Sequence, residues 1–208
     1  MVACLQSRSR GILQKIKFKI MVFTETKISG LFVVEPKVFV DPRGFFLESY
    51  NQKTFADNGI NITFVQDNHS RSSKNVLRGL HFQKPPFAQD KLIRVTSGEV
   101  FDVAVDIRPG SKTYGQYESV ILSAENHKMF LIPAGFAHGF CVLSDTADFI
   151  YKCSNYYSKE SEGGIVYNDP DLNIPWPIQN PILSEKDQLW PLLRKSPLSK
   201  GDLEGFKS

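Results

Sequence analysis

The sequence predicts an all-β domain, a sandwich or barrel of short antiparallel strands. Three observations carry that expectation. Short apolar or alternating runs follow one another from residue 28 onward, clusters of Gly, Pro, Asp, Asn and Ser separate many of them, and aromatics form 12% of the chain, with 16 Phe. Period-two alternation suits a strand with one buried face, many such runs at close spacing suit a sandwich or barrel, and aromatic side chains favour β-structure. At 208 residues, the chain is long enough to bury one proper core.

In chain order, the strands are expected at 31–35, 37–40, 44–49, 63–69, 76–83, 91–96, 99–107, 116–123, 128–132, 137–143 and 147–153. Turn chemistry punctuates them, as at Asp41-Pro42-Arg43-Gly44, Ser97-Gly98 and Arg108-Pro109-Gly110-Ser111. Two helices interrupt the pattern. One covers about 51–58 and stops at Gly59; the other starts near Ser184, where Ser184-Glu185-Lys186-Asp187 reads as a capping box. The stretch 168–182, rich in Pro, Asn and Asp, reads as an ordered loop. The expected organisation is a basic extension over 1–21, a folded domain over 22–195 and a tail over 196–208.

Composition excludes several classes. The net charge of +3 comes from residues 1–20, which hold five basic side chains and no acidic one; the rest is mildly acidic, so bulk charge offers nothing to nucleic acid. No apolar run approaches the ~20 residues of a membrane-spanning helix. Cys4, Cys141 and Cys153 show no CxxC spacing, which fits neither a disulfide framework nor a cysteine zinc site. A reducing compartment, hence a cytoplasmic location, is the expectation.

The chemistry rests on the histidines, His69, His81, His127 and His138. A lone strand histidine is usually a packed core residue, and His69 and His127 are read so. His81 lies in Leu77-Arg78-Gly79-Leu80-His81-Phe82-Gln83, where alternation puts Arg78 and His81 on opposite faces unless Gly79 marks a bulge. His138 lies in Pro133-Ala134-Gly135-Phe136-Ala137-His138-Gly139-Phe140, which resembles the second metal motif of cupin barrels. A metal cupin adds a first motif with two histidines at i and i+2 and a carboxylate. Here Gly79 and Gln83 flank His81 at that spacing, so no metal and no cofactor is expected. The imidazoles are left for proton transfer beside a carbonyl.

Ordered strings then make a resemblance specific. They are Asp41-Pro42-Arg43-Gly44-Phe45-Phe46-x-Glu48, Gln66-Asp67-Asn68-His69-Ser70, the His81 and His138 strings, Tyr151-Lys152, Tyr156-Tyr157, Glu160-Ser161-Glu162 and Leu183-Ser184-x-Lys186-Asp187. Over roughly 22–190 the chain resembles the dTDP-4-dehydrorhamnose 3,5-epimerase family. The resemblance implies a cupin-like jelly-roll β-barrel and an isomerase acting on a dTDP-4-keto-6-deoxyhexose, with dTDP-4-dehydro-L-rhamnose as product. It implies His81 as the base, Tyr151 as the acid on the opposite face, Lys91 on the enolate oxygen, Asp187 fixing the tautomer of His81, and Asp102 that of His138. Arg43, Glu48, Gln66, Asp67, Asn68, Arg78, His138, Glu162 and Lys186 match substrate-contacting positions, and Tyr157 the aromatic that stacks on thymine. A homodimer is also implied, in which Arg43 and Glu48 serve the neighbouring site.

Elementary chemistry points the same way. A proton beside a ketone leaves only if the enolate is stabilised, and an oxyanion donor in a dry site contributes about 3–4 kcal/mol. Inversion needs a donor and an acceptor on opposite faces, and paired arginine–glycine steps let a diphosphate approach closely. Rival readings remain at this level: Lys91 and Arg94 as edge-strand charges, Tyr151 as a wall residue, Asp187 as a helix cap. For the whole protein the rivals are an enzyme inverting C3 or C5 alone, a non-catalytic sugar-nucleotide-binding cupin, and a metal-dependent cupin.

Overall fold

Two antiparallel sheets face each other across an apolar interior in the computed structural model, which describes residues 20–195. The expected tail 196–208 and all but the last two residues of the expected extension 1–21 lie outside the described residues. In chain order the strands are β1 (Met21–Glu25), β2 (Phe32–Pro36), β3 (Val38–Asp41), β4 (Gly44–Leu47), β5 (Gln66–Ser73), β6 (Leu77–Gln83), β7 (Lys91–Ser97), β8 (Glu99–Asp106), β9 (Tyr117–Ser123), β10 (Met129–Ile132), β11 (Phe136–Val142), β12 (Thr146–Cys153) and β13 (Glu162–Gly164). Helix α1 is Gln52–Asp57 and α2 is Glu185–Gln188. One sheet runs β1-β2-β10-β7-β12-β5, the other β13-β6-β11-β8-β9, and β3-β4 stands apart as a hairpin. This is the cupin-like all-β fold expected from the sequence.

Alternation builds the interior. Ile93 and Val95 of β7, Phe130 of β10 and Phe149 of β12 meet Val100 and Ala104 of β8, Leu122 of β9 and Phe140 of β11. The opposite face of β7 and β10 presents Leu92, Met129 and Leu131 to α1 through Phe55. Asn51 caps that helix by accepting the Thr54 N–H at 3.2 Å, and Gly59 leaves it at φ +84°, as the sequence suggested. Burying one such aromatic or aliphatic side chain contributes roughly 1.5–3 kcal/mol.

Three segments depart from expectation. β1 was not anticipated, and neither was β13, whose Glu-Gly-Gly composition lacks strand propensity. β5 begins and ends later than its expected range. Its polar run Ser70-Arg71-Ser72-Ser73 is strand because it pairs without interruption with β12, from Thr146↔Ser73 to Cys153↔Gln66. The backbone ladder and the neighbouring sheet decide that segment, not its hydropathy.

β6 carries the irregularity that matters most. His138 pairs with His81 and Phe140 with Arg78, so two steps on β11 span three on β6. The extra residue is a bulge at Gly79, whose φ is +119°. A Cβ there would lie 2.6 Å from Gly139 Cα and 2.7 Å from the His138 carbonyl oxygen. Only glycine allows the close approach. The bulge turns Arg78 to the same face as His81.

Candidate active site

Between the sheets, toward one end, lies a cavity of about 540 Å³. Strand β6 contributes Arg78 and His81, β11 His138, β7 Lys91, β12 Tyr151 and the segment around α2 Lys186 and Asp187. Phe140, Phe149, Val76, Ile182 and Leu183 make its apolar walls. His81 and His138 thus enter from the five-stranded sheet, Lys91 and Tyr151 from the six-stranded one.

Each histidine is backed by a carboxylate. His81 Nε2 lies 2.5 Å from Asp187 Oδ1, although the two residues are 106 apart in sequence. Asp187 uses its backbone N–H on the Ser184 side chain at 3.1 Å, which closes the first turn of α2 and leaves the carboxylate free to reach β6. Burial pushes the Asp187 carboxyl up, but the hydrogen bond and charge of His81, with Ser184 and the Trp190 indole adding to them, hold it below the ordinary carboxylate range. His138 Nε2 lies 3.1 Å from both carboxylate oxygens of the fully buried Asp102. Burial lowers the His138 pKa, Asp102 opposes that shift, and Lys91 and His81 reinforce it.

Lys91 is no edge charge. β7 runs between β10 and β12, and Lys91 pairs with Ile132 on one side and Cys153 on the other. Its ammonium sits 5.9 Å from the centre of the Tyr151 ring. Burial lowers the Lys91 pKa, with Cys153, Asp102 and Glu162 pulling the other way. Burial raises the Tyr151 phenol above its ordinary range, which keeps it protonated at neutral pH; Cys153 adds to the shift and Arg78 opposes it. Arg94, one step from Ile93, has its pKa lowered by burial too.

The remaining expected residues divide. Arg78 is steadied by donating from Nε to Ser72 Oγ at 3.0 Å. Gln66 and Asn68 lie on the inner face of β5, joined at 3.0 Å, and Asn68 pairs with Tyr151. Gln66 Oε1 accepts the Tyr157 N–H at 3.3 Å, and Glu162 accepts from Lys186 at 2.6 Å and from the Tyr157 hydroxyl at 3.3 Å. These contacts form a polar rim linked to the cavity through Lys186. Asp67 does not join them. Lying between Gln66 and Asn68, it faces the other side of the sheet by strand alternation, where its carboxylate takes Lys152 at 2.9 Å. Arg43 and Glu48 are also away from this cavity: Arg43 is exposed on the hairpin beside Asp41, and Glu48 lies past its end.

Sequence reasoning passed over Ser72, Gln83 and Trp190. Buried Gln83 accepts the Ser158 N–H at 2.8 Å and ties the Tyr157 loop to β6, so the place of the second motif histidine has a different task. Among the described residues, no three His, Cys, Asp or Glu side chains gather as a metal-ligand set. His69, read as structural, shares Asp148 with Arg71 on the outer face.

Comparison with known proteins places the chain. Residues 25–195 match the family model described as dTDP-4-dehydrorhamnose 3,5-epimerase. An enzyme of that name from Salmonella typhimurium is 57% identical over 182 residues, covering 86% of this chain and 100% of its own. One from Shigella flexneri is 59% identical over 164 residues, covering 78% and 91%. The crystal structure of the dTDP-6-deoxy-D-glucose-3,5-epimerase of Legionella pneumophila in complex with dTDP-4-keto-L-rhamnose superposes with a TM-score of 0.84 at 51% identity, covering 90% of this chain and 100% of that one.

Proposed function

The chain belongs to the dTDP-4-dehydrorhamnose 3,5-epimerase family, and from that premise we propose how its cavity carries out the reaction. The protein is an isomerase that inverts C3 and C5 of dTDP-4-dehydro-6-deoxy-D-glucose to give dTDP-4-dehydro-L-rhamnose. The observation that carries the assignment of roles is the entry of His81 and of the Lys91–Tyr151 pair into one cavity from opposing sheets.

With its Nε2–H donated to Asp187, His81 keeps Nδ1 as the basic nitrogen. That nitrogen takes the proton from the carbon beside the ketone. The electron pair of the broken C–H bond moves into the ring, and the ketone oxygen becomes an enolate held by the Lys91 ammonium. Tyr151, protonated and on the facing wall, returns a proton to the carbon from the other side, and the ketone re-forms. Exchange with solvent carries the proton off His81 and restores that of Tyr151; the same ketone then activates the second carbon, so no redox partner enters the balance. Arg78 and Lys186 receive the diphosphate, His138 with its Asp102 faces the sugar, and Tyr157 with Gln66, Asn68 and Glu162 forms the nucleoside end.

The test is the reaction in deuterated water, followed by NMR of the product. Deuterium at both C3 and C5 with inversion at each supports these roles; unchanged substrate in the presence of folded protein overturns them.

A homodimer and a cytoplasmic location belong to the same reading. Val40, Phe45 and Phe46 are exposed on the β3–β4 hairpin, and Glu48 Oε1 is buried with no hydrogen-bond partner among the described residues. The exposed apolar side chains suit a second copy covering the hairpin, with Arg43 and Glu48 serving the neighbouring cavity. Sedimentation of the purified protein tests this. The cysteines of the described region, Cys141 and Cys153, are free and buried, which suits a reducing compartment.

A further inference from the structure

We infer that Trp190 is a positioning residue of the His81–Asp187 pair, seated in a slot that Gly164 keeps open for it. The inference deepens the reading above and rests on His81 as the base. The His81 and Trp190 ring centres lie 6.2 Å apart, with the planes at 69°. Gly164 is the register partner of His81 on β13. A Cβ on Gly164 would lie 2.3–2.6 Å from three atoms of the indole, so any side chain there displaces the ring. The slot is anchored on both sides. Ile165 and Leu80 exchange backbone hydrogen bonds at 2.9 and 3.1 Å, and Val166 N–H donates to the carbonyl of Pro191, the residue after Trp190, at 3.0 Å.

Two further features point to a task beyond packing. The indole Nε1 is buried and makes no hydrogen bond among the described residues, an arrangement a merely structural tryptophan would avoid. Lys186, which precedes Asp187, places its ammonium 6.0 Å from the centre of the same ring. Trp190 therefore packs beside His81 and beside Lys186, the neighbour of Asp187 in the turn that delivers it. It limits the sideways motion of the imidazole and shields the short contact from water. A small displacement of a general base is enough to cost an enzyme most of its rate.

The experiment uses the full chain and three variants, Trp190→Ala, Trp190→Phe and Gly164→Ala, each checked for folding by circular dichroism and for dTDP affinity. Expected are a fall in kcat of roughly tenfold for Trp190→Ala with KM nearly unchanged, a comparable fall for Gly164→Ala although the tryptophan is retained, and substantial recovery in Trp190→Phe. A second readout separates positioning from packing: kcat should recover in Trp190→Phe, while dTDP affinity stays at the wild-type level in all three variants. Wild-type kcat in both Trp190→Ala and Gly164→Ala, or no recovery of kcat in Trp190→Phe, overturns the inference. Deuterium exchange by the wild type that His81→Asn abolishes upholds the base assignment separately, so either idea can fail without the other.

Discussion

His81 and His138 are direct partners across the β6–β11 ladder, and each meets an aspartate from a different part of the chain. Asp102 is on β8, the other neighbour of β11, while Asp187 arrives from α2. The two imidazoles therefore share a cavity but not an environment. His138 is almost fully buried between Asp102 and the Phe149 ring, 6.0 Å away, whereas the His81 side chain keeps 29% of its exposure. Both line the cavity, and His81 is the more open to a bound substrate.

Replacing His81 by Asn should cut turnover about 10⁴-fold or more, the upper end for loss of a general base. Deuterium incorporation at C3 and C5 should stop together, which NMR in deuterated water reads directly. Retained exchange at either carbon would show that another residue serves it.

Tyr151→Phe should behave differently. The ring and its packing stay, but the proton donor goes, so deuterium continues to wash into substrate while inversion slows roughly 10²-fold. Near-normal inversion would make Tyr151 a wall residue.

Lys91→Met should raise the melting temperature while lowering kcat about 10²- to 10³-fold, the usual effect of deleting an oxyanion donor. Burial holds the folded-state pKa of Lys91 below its unfolded value, so the charged form costs stability. That cost is fully present at low pH and disappears as pH rises through the folded pKa toward the ordinary lysine value. The melting-temperature gap between variant and wild type should therefore narrow as pH rises toward about 10.

Asp148→Asn probes the outer face. Hydrogen bonds from Arg71 and His69 bring the Asp148 pKa down to about 2. A depressed carboxylate stabilises the folded state above its unfolded pKa, about 3.9, and ceases to do so as pH falls through the folded value. The wild type should melt above the variant at neutral pH, and the two curves should converge as pH approaches 2. A gap that stays constant on acidification contradicts the pairing.

Gly79→Ala should lower stability by about 1–3 kcal/mol from the forced φ alone, with more from the clash against Gly139. Thermal melting and dTDP titration together measure the damage to the fold and to Arg78. An unchanged melting temperature would mean that the bulge can relax at little cost.

Much of this was legible in the sequence because strand alternation is a local signal. The apolar faces of β7, β8 and β11 could be read off their residues, and the glycine in β6 flagged its bulge. The polar far half of β5 and the whole of β13 could not be read so, since neighbouring strands impose their conformation. At Asp187 the local pattern favoured a helix cap, and the cap is real but made by its backbone N–H; the partner of the carboxylate lies across the fold, where no spacing rule reaches. Only family resemblance pointed to that pair. Trp190 gave no signal, because its place depends on a glycine from a strand that the sequence did not announce.

The bulge in β6 has a metrical meaning as well. A regular strand with one residue fewer would also set a cation and a base on one face, two positions apart. The inserted residue does not lengthen that interval, because Arg78 and His81 stand opposite Phe140 and His138, which are two steps apart on β11. In the proposed pose those residues address opposite ends of one rigid object, the diphosphate and the reacting sugar carbon. The extra residue then works as a tuck in a seam: three residues of β6 are drawn into the length of two, and both side chains stay turned to the substrate at the shorter spacing.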